Sequence, residues 1–350
     1  MMTIQNDHVS YDYSEEQQQQ QSQRIIEQIS KEAEKYDGQC CLLVDPTLLG
    51  DKVQYDPLIK TIVSRQPHPV ILPHEKLGPI AYPWLISLDL TKEEDQILLA
   101  DSVQYSLKEC RPSSLRRGAG RAVCGWIMTE NPLNQLANHI GETAIQSDAN
   151  NFKFFFRFYD PAVLPYIWHE LTEWQKYRMI AGIGHWIIIN GDGEPILYKG
   201  GIQQPNLVFN LALSENQIQS LSLISTINKE MVQYRFDNTE NRLSEAWVIV
   251  QILPALKRIQ QTYPNQDDIS FKQFTQLAMS IHPEFDLHPK VNNLIKQDTV
   301  KNALIDWFSI QDKFSDKAWE TIISECQKNS SKTQIINSNH EEKEQSHDLM

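Results

Sequence analysis

The chain has 350 residues, of which 41% are hydrophobic and 22% are charged, and these proportions are typical of a globular protein with a sizeable core. Its formal net charge of −13 disfavours nucleic acid and anionic membranes as main partners, because both require a basic surface. The compact basic group of Arg116, Arg117 and Arg121 is the one candidate for such a surface. The five cysteines include no Cys-x-x-Cys pair, which favours free thiols and a reducing cytoplasm over disulfides or a zinc site.

Both ends of the chain are polar and predict disordered tails. Residues 1–23 contain the glutamine-rich run EEQQQQQSQ, and residues 328–350 are similarly poor in apolar side chains. Such segments cannot bury enough apolar surface to offset the entropy lost on ordering. Between the tails, the longest apolar stretch, around residues 179–189, is too short to cross a bilayer, so no membrane partner is expected.

Strand-like and helix-like segments alternate over residues 24–200. Apolar runs predict strands at CCLLVD, PWLISLDL, RAVCGWIMTE and NFKFFFRFY, and a hairpin at HWIIINGDGEPILY. Amphipathic segments with helical spacing lie between several of these strands. The pattern predicts an α+β domain, in which a small sheet is flanked by helices.

Three of these strands end in a short polar residue followed by proline. The pairs are Asp45-Pro46, Asn131-Pro132 and Asp160-Pro161. Proline stops strand pairing, and an Asp or Asn side chain can accept hydrogen bonds from the free N–H groups at a helix start. We therefore expect each polar residue to cap a helix, with Pro161 as the first residue of the last one. Pro165 lies too far into that helix, so a new helix is expected to start near it.

The stretch NFKFFFRFYDPAVLPY places one arginine among five phenylalanines. In a strand, alternate side chains point to opposite faces. One face would then carry Phe152, Phe154, Phe156 and Phe158, all expected in the core. On the other face Arg157 lies between Phe155 and Tyr159, and an arginine on a half-buried face usually pairs with a carboxylate.

Over residues 201–327 the strand patterns disappear and apolar residues recur at helical spacing. The run AWVIVQILPAL predicts a buried helix kinked at Pro254, because proline interrupts the hydrogen-bond ladder. We predict an all-α lobe here, with a groove that could take an amphipathic helix from a partner. The large apolar candidates for that groove are Trp247, Phe271, Phe274 and Trp307.

No local motif marks a catalytic or metal centre. WHELTEW resembles a zinc-protease helix, but Glu173 stands where the second histidine ligand belongs, so neither a metal nor a cofactor is predicted. If the strands are parallel, Asp45, Asn131 and Asp160 gather at their carboxyl ends, where α/β enzymes keep their sites. Arg157 could hold an anion there, although caps and an ion pair would explain the same residues without catalysis.

The segment FRFYDPAVL, residues 156–164, resembles the most diagnostic motif of the adaptor proteins of bacterial type VI secretion, a family long carried as a domain of unknown function. CLLVDPTLL resembles that family's opening strand, GPIAYPWLISLD its Gly-Pro…Pro-Trp-Leu segment, and CGWIMTENPLNQLANHI its second strand and following helix. The resemblance covers about residues 40–190. Its matched positions include Phe156, Arg157, Phe158, Tyr159, Asp160, Pro161, Asp45, Pro83 and Trp84.

The resemblance implies non-catalytic work in the cytoplasm. Members of the family are chaperones that hold one toxic effector and load it onto the VgrG spike protein. The implied partners are therefore a cognate effector and VgrG, and the matched motif residues carry no catalytic role. The alternative is an enzyme that acts on an anionic small molecule through Arg157, Asp45 and Asp160.

Overall fold

The computed structural model describes residues 15–49, 56–118, 120–201, 209–239, 242–301 and 304–328. The chain forms two compact units, which are Met1–Ile224 with Arg235–Ala246, and Ser225–Tyr234 with Trp247–Met350. Sheets and helices make up the first unit, and the described part of the second is helical. This confirms the α+β plus all-α fold class. The domain boundary predicted at residue 200 falls inside the first unit.

The eight strands found in the described residues all belong to the first unit. They are β1 (Gln39–Val44), β2 (His68–Pro69), β3 (Trp84–Asp89), β4 (Val123–Met128), β5 (Ile145–Ser147), β6 (Lys153–Phe155), β7 (His185–Ile189) and β8 (Pro195–Lys199). Six of them form one sheet in the order β2-β3-β1-β4-β7-β8, and β5 pairs with β6 in a second sheet. Every neighbouring pair is antiparallel. The parallel arrangement that would gather the strand ends is therefore wrong, and the predicted β7–β8 hairpin is confirmed.

The helices of the first unit pack on both sides of the main sheet. They are α1 (Glu15–Ala33), α2 (Pro57–Ser64), α3 (Glu93–Glu109), α4 (Pro112–Leu115), α5 (Leu133–Thr143), α6 (Leu164–Glu170), α7 (Glu173–Met179) and α8 (Glu215–Asp237), which continues through part of the second unit. Because α1 begins at Glu15, the disordered tail predicted through residue 23 is wrong for residues 15–23. Residues 1–14 lie outside the described part.

Alternate side chains of the sheet belong to two separate apolar clusters, because successive side chains of a strand point to opposite faces. Leu43 and Trp186 belong to the cluster that also contains side chains of α5, α6 and α7. Their strand neighbours Leu42 and Ile187 belong to the cluster formed with α1, α2 and α3. Both faces of the sheet are therefore covered by apolar core. Each fully buried Leu or Ile side chain stabilises the folded state by about 1.5–3 kcal/mol.

The polar-plus-proline pairs act differently at the first two strand ends. Asp45 caps the 3-10 helix Pro46–Leu48, since its side chain accepts a hydrogen bond from Thr47 N, and this prediction is confirmed. Asn131 does not cap α5, where the capping position is Pro132. Its Nδ2 instead donates to Gly182 O at 2.8 Å, so the cap predicted there is wrong.

At the third strand end, Asp160 caps a turn rather than a helix. Its Oδ1 accepts from Ala162 N at 2.8 Å, and α6 begins only at Leu164. Pro161 is therefore not helical, contrary to the prediction. The cause is Pro165, which fits the first turn of a helix but would clash inside one that began at Pro161. The new helix expected near Pro165 is confirmed.

The phenylalanine stretch forms a shorter strand than its pattern predicts. Only Lys153–Phe155 is extended in β6, and Phe152 is 72% exposed, so its core placement is wrong. Asn151 before it has φ of 62°, which turns the chain and starts the strand late. After β6 the backbone leaves the small sheet, and Phe156 and Phe158 enter the core.

The second unit consists of helices in its described residues. Besides the α8 segment Ser225–Tyr234, they are α9 (Glu245–Trp247, shared with the first unit), α10 (Leu253–Thr262), α11 (Asp268–Ser280), α12 (Pro289–Lys301), α13 (Trp307–Gln311) and α14 (residues 316–328). A π-helical turn, Val248–Ile252, directly precedes α10, whose second residue is Pro254, because a proline N cannot donate to the carbonyl four residues earlier. Val250 is 57% exposed, so this helix is not buried all round as predicted. Apart from Lys328, the predicted C-terminal tail lies outside the described residues.

Two of the four partner-binding candidates form the core of the second unit. Phe274 and Trp307 are fully buried, and their ring centroids lie 4.9 Å apart in an edge arrangement. They therefore cannot present a docking surface, and that prediction is wrong for both. Trp247 and Phe271 are half-buried. Among the described helices, none is both long and apolar enough to cross a membrane.

Candidate functional site

The candidate site is centred on an ion pair between Arg157, just after β6, and Asp45, at the end of β1. Arg157 Nη2 donates to Asp45 Oδ2 at 2.7 Å. The other carboxylate oxygen of Asp45 accepts from Thr47 N at 2.9 Å and Thr47 Oγ1 at 2.6 Å. Asp45 is 1% exposed and the Arg157 side chain is 28% exposed. The buried carboxylate is thus fully paired, and only the arginine reaches solvent.

Asp160 completes this cluster at longer range. Its Oδ2 lies 3.9 Å from Arg157 Nη2. Burial raises the pKa of Asp160, while Arg157 and the bond from Ala162 N oppose the shift. Burial alone lowers the pKa of Arg157, but the two carboxylates outweigh it and raise that pKa. Asp45, Asp160 and Arg157 therefore lie close together, but not through the parallel strands on which the expected gathering of Asp45, Asn131 and Asp160 depended. Asn131, three residues after the end of β4, is not part of this hydrogen-bond network.

The remaining motif residues are packing residues. Phe156, Phe158 and Tyr159 are at most 2% exposed, and the Phe158 ring meets Trp186 edge-on at 6.0 Å. Burial raises the pKa of Tyr159, whose OH has no hydrogen-bond partner in the described part of the chain. Pro161 is also buried.

Pro83 and Trp84 lie at the start of β3, the strand beside β1 in the main sheet. Pro83 O accepts from Val70 N at 2.7 Å, and Trp84 pairs with Val44 and Pro69 in the strands on either side. Both residues therefore have backbone roles in the sheet.

A second, larger ionic cluster lies in the first unit and was not indicated by any local pattern. Arg121 Nη2 donates to Glu245 Oε1 at 3.1 Å, with both side chains almost fully buried. Glu245 Oε2 accepts from Gly191 N at 2.9 Å, in the turn between β7 and β8. The salt bridge therefore connects the start of β4 to the hairpin and to the segment at residue 245.

Two more arginines hold the same hairpin turn. Arg235 Nη2 donates to Asp192 Oδ1 at 2.6 Å, and its Nη1 donates to Gly191 O at 2.8 Å. Arg242 Nη2 donates to Gly191 O at 2.6 Å. Because each partner is distant in sequence, only the folded chain brings these charges together. They attach Arg235–Ala246 to the first unit.

Glu109, at the end of α3, is a buried carboxyl group whose pKa is raised. Its two oxygens accept from Ala122 N at 2.9 Å and Val123 N at 3.2 Å. Burial raises the pKa of Glu109 to about 8, although those two N–H groups and Arg121 oppose the shift. This carboxyl group therefore titrates near neutral pH and holds the first residues of β4.

The predicted basic group of three arginines does not form one surface. Arg121 is 5% exposed and is paired with Glu245, whereas Arg116 and Arg117 are exposed. Arg116 instead stacks over the Phe236 ring at 3.9 Å. All five cysteines are free thiols. Within the described residues, no group of three or more His, Cys, Asp or Glu side chains could hold a metal ion.

A protein-family model described as "Domain of unknown function (DUF4123)" matches residues 48–178. The matched region begins just after Asp45 and includes Arg157, Tyr159 and Asp160. No curated protein matches the chain, and no solved structure matches it. The family match therefore covers Arg157, Tyr159 and Asp160 but not Asp45, the partner of Arg157.

Proposed function

We propose that this chain is a non-catalytic adaptor that binds one toxic effector in the bacterial cytoplasm and loads it onto the VgrG spike of a type VI secretion system. The proposal rests on the resemblance of FRFYDPAVL to the motif of those adaptors. The family match over residues 48–178 is consistent with that resemblance, since it covers the same motif.

One structural observation supports a structural role for the motif. Its arginine donates to a carboxylate that is 1% exposed and already accepts two other hydrogen bonds. A substrate anion would have to displace Asp45, and a buried carboxylate left without its cation is strongly destabilising. The aromatic residues beside Arg157 are buried in the same core. The motif thus holds β1 and the segment after β6 together.

The alternative, an enzyme for an anionic small molecule, has three observations in its favour. Arg157 remains 28% exposed, its Nε has no partner in the described residues, and burial raises the pKa of Asp160 beside it. A cation next to a carboxyl group of raised pKa is an arrangement that acid–base catalysis can use. The adaptor and the enzyme differ in whether Arg157 is needed for stability or for turnover.

The adaptor function can be tested by removing the chain from its bacterium. VgrG is immunoprecipitated from the parent strain, the deletion strain and a strain complemented with the wild-type chain, and the bound proteins are identified by mass spectrometry. We expect one large effector to be lost from VgrG in the deletion strain and restored by complementation. If that effector associates with VgrG and is secreted equally in all three strains, the proposal is wrong.

A further inference from the structure

A cleft of about 590 Å³ opens in the first unit between α1, α3 and the turn that joins β7 to β8. This volume is in the range of sites that bind small molecules or short peptide segments. One wall consists of Asp101, Gln104, Tyr105 and Lys108 of α3. Their spacing of three, four and seven residues from Asp101 places them on one face of the helix. The cleft thus has a continuous polar wall about two turns long.

The opposite wall comes from the first turns of α1, which two hydrogen bonds hold in place. Gln21 Nε2 donates to Gly193 O at 2.9 Å in the hairpin turn. Arg111 Nη2 donates to Gln18 Oε1 at 2.5 Å. Both bonds are made by residues that line the cleft. The first bond therefore holds α1 to the hairpin turn, and the second holds α1 to the residue two positions after the end of α3.

Ser22 gives independent evidence that the cleft accepts a hydrogen-bonding ligand. It lines the cleft and is only 5% exposed, yet its Oγ has no hydrogen-bond partner among the described residues. A buried hydroxyl without a partner costs about 1–3 kcal/mol. A ligand that bonds to Ser22 would remove this cost.

The charges around the cleft disfavour a phosphate or another strongly anionic ligand. Three lining residues are aspartates, Asp56, Asp101 and Asp192, against the two cations Lys108 and Arg111. Asp56 already caps α2, and Asp192 already pairs with Arg235. The exposed pair Asp101 and Lys108 places opposite charges at the two ends of the α3 wall, roughly 10 Å apart at 1.5 Å per residue.

Between those two charges the lining side chains are uncharged, and several can both donate and accept hydrogen bonds. The carboxamides of Gln19 and Gln104 each offer donors and an acceptor, and the Tyr105 hydroxyl can do both. Leu58 and Leu107 add apolar surface. An extended peptide has the matching chemistry, because its backbone alternates N–H and C=O groups and carries no charge of its own.

We propose that this cleft binds an extended peptide segment with little net charge, and that the segment belongs to the client protein. The second part rests on the adaptor function proposed above, whereas the first part does not. Gln19, Ser22 and Gln104 hydrogen-bond the peptide backbone. Lys108 and Asp101 select an acidic and a basic side chain near opposite ends of the segment.

The first part can be tested without knowledge of the client. A phage-displayed library of 12-residue peptides is panned on the full-length chain, and enriched peptides are synthesised and titrated by calorimetry. Gln104→Trp fills the cleft from its exposed rim, and Lys108→Glu reverses the cation. Glu93→Trp is the matched control, because Glu93 is exposed on the same helix but does not line the cleft.

We expect the affinity of an enriched peptide to fall at least tenfold in Gln104→Trp and Lys108→Glu, and to stay within twofold in Glu93→Trp. Thermal melts check that all three variants fold. The peptide-binding role is wrong if no peptide is enriched, or if enriched peptides bind the two cleft variants as tightly as wild type. Binding of an oligosaccharide in their place, lost in Gln104→Trp, would also overturn the assignment to peptides.

Capture of the effector by the same variants separates the two proposals. If Gln104→Trp loses both the peptide and the effector, the cleft holds a segment of the client. If wild type captures an effector but no peptide depends on the cleft, the cleft inference fails and the adaptor function stands. If peptides bind the cleft but no effector is captured, the adaptor function fails. The inference that the cleft binds an extended peptide then still stands.

Discussion

Arg121 and Glu245 are 124 residues apart in the chain, yet their side chains meet at 3.1 Å with exposures of 5% and 1%. A pair so deeply buried is costly to desolvate, and breaking it leaves one charge unpaired in the interior. Glu245 also accepts from Gly191 N, so its loss removes two interactions. This pair therefore connects distant parts of the first unit, and its loss leaves a buried charge.

Glu245→Ala should lower the free energy of unfolding of the first unit by about 3–5 kcal/mol, because Arg121 remains buried without its anion. Urea denaturation followed by tryptophan fluorescence measures the change. The double variant Arg121→Met with Glu245→Leu is the control, since an apolar pair of similar volume recovers part of the loss. A single variant that unfolds at the wild-type midpoint would show that the pair contributes little.

Arg157→Ala should lower the stability of the first unit by about 2–3 kcal/mol. This is less than for a fully buried pair, because Arg157 is partly exposed and Asp45 keeps both hydrogen bonds from Thr47. Thermal melts of wild type, Arg157→Ala and Arg157→Lys measure the effect, with Lys expected to be intermediate. An unchanged melting temperature would contradict the structural role and favour the enzyme alternative.

Glu109 should make the first unit less stable as pH rises from about 5 to about 8. Burial raises its pKa to about 8, above the value near 4.3 of an unfolded glutamate. In that window the folded chain binds a proton that the unfolded chain has lost, so stability falls with pH. The slope is at most about 1.4 kcal/mol per pH unit.

Melts of wild type and Glu109→Gln at four pH values isolate this contribution, because the neutral variant cannot titrate. We expect Glu109→Gln to have the flatter pH profile, even if it is less stable at pH 5. Parallel profiles for the two proteins would mean that Glu109 has an ordinary pKa.

Gly125→Ala should prevent stable folding of the main sheet, at a cost above about 4 kcal/mol. Gly125 has φ of +115° in the middle of β4, and a Cβ there would lie 2.3 Å from Ile187 O on the neighbouring strand. Soluble yield and circular dichroism report the defect. Gly78→Ala is the matched control, since a Cβ at Gly78 meets nothing within 4 Å, and it should fold normally.

Trp307→Ala should destabilise the second unit by about 3–5 kcal/mol through the cavity it leaves. Trp307 is fully buried and its Nε1 donates to Ser270 Oγ at 3.0 Å. Hydrogen exchange of α11 and α13 measures the loss of protection. Phe308→Ala, at a 39% exposed neighbour, should change exchange little. Equal effects of the two variants would contradict the core assignment of Trp307.

Local sequence patterns predict a helix or strand well where its formation depends on residues that are close together in the chain. The apolar runs of β1, β3, β4 and β7 identify strands, because a strand covered on both faces needs apolar side chains throughout. The same patterns fail at Phe152 and Pro161. There the outcome depends on the turn at Asn151 and on the position of Pro165, which compete with strand and helix propensity.

The candidate site is only partly predictable for a similar reason. A carboxylate partner for Arg157 follows from the cost of burying a charge, but the identity of that partner as Asp45 depends on where β1 ends in space. Sequence spacing says nothing about Arg121, Glu245 and Asp192, and nothing about which aromatic residues of the helical region are buried. Phe274 and Trp307 look like surface candidates until their packing is known.

Composition, charge and periodicity are therefore enough to establish a two-part α+β and all-α protein, since burial and backbone propensity act on residues close together in the chain. The antiparallel sheet order, the pairing of Arg157 with Asp45, the ionic cluster around Gly191 and the cleft between α1 and α3 depend on contacts between distant segments. Those contacts exist only after the chain has folded, because electrostatic and hydrogen-bond partners are selected by distance in space.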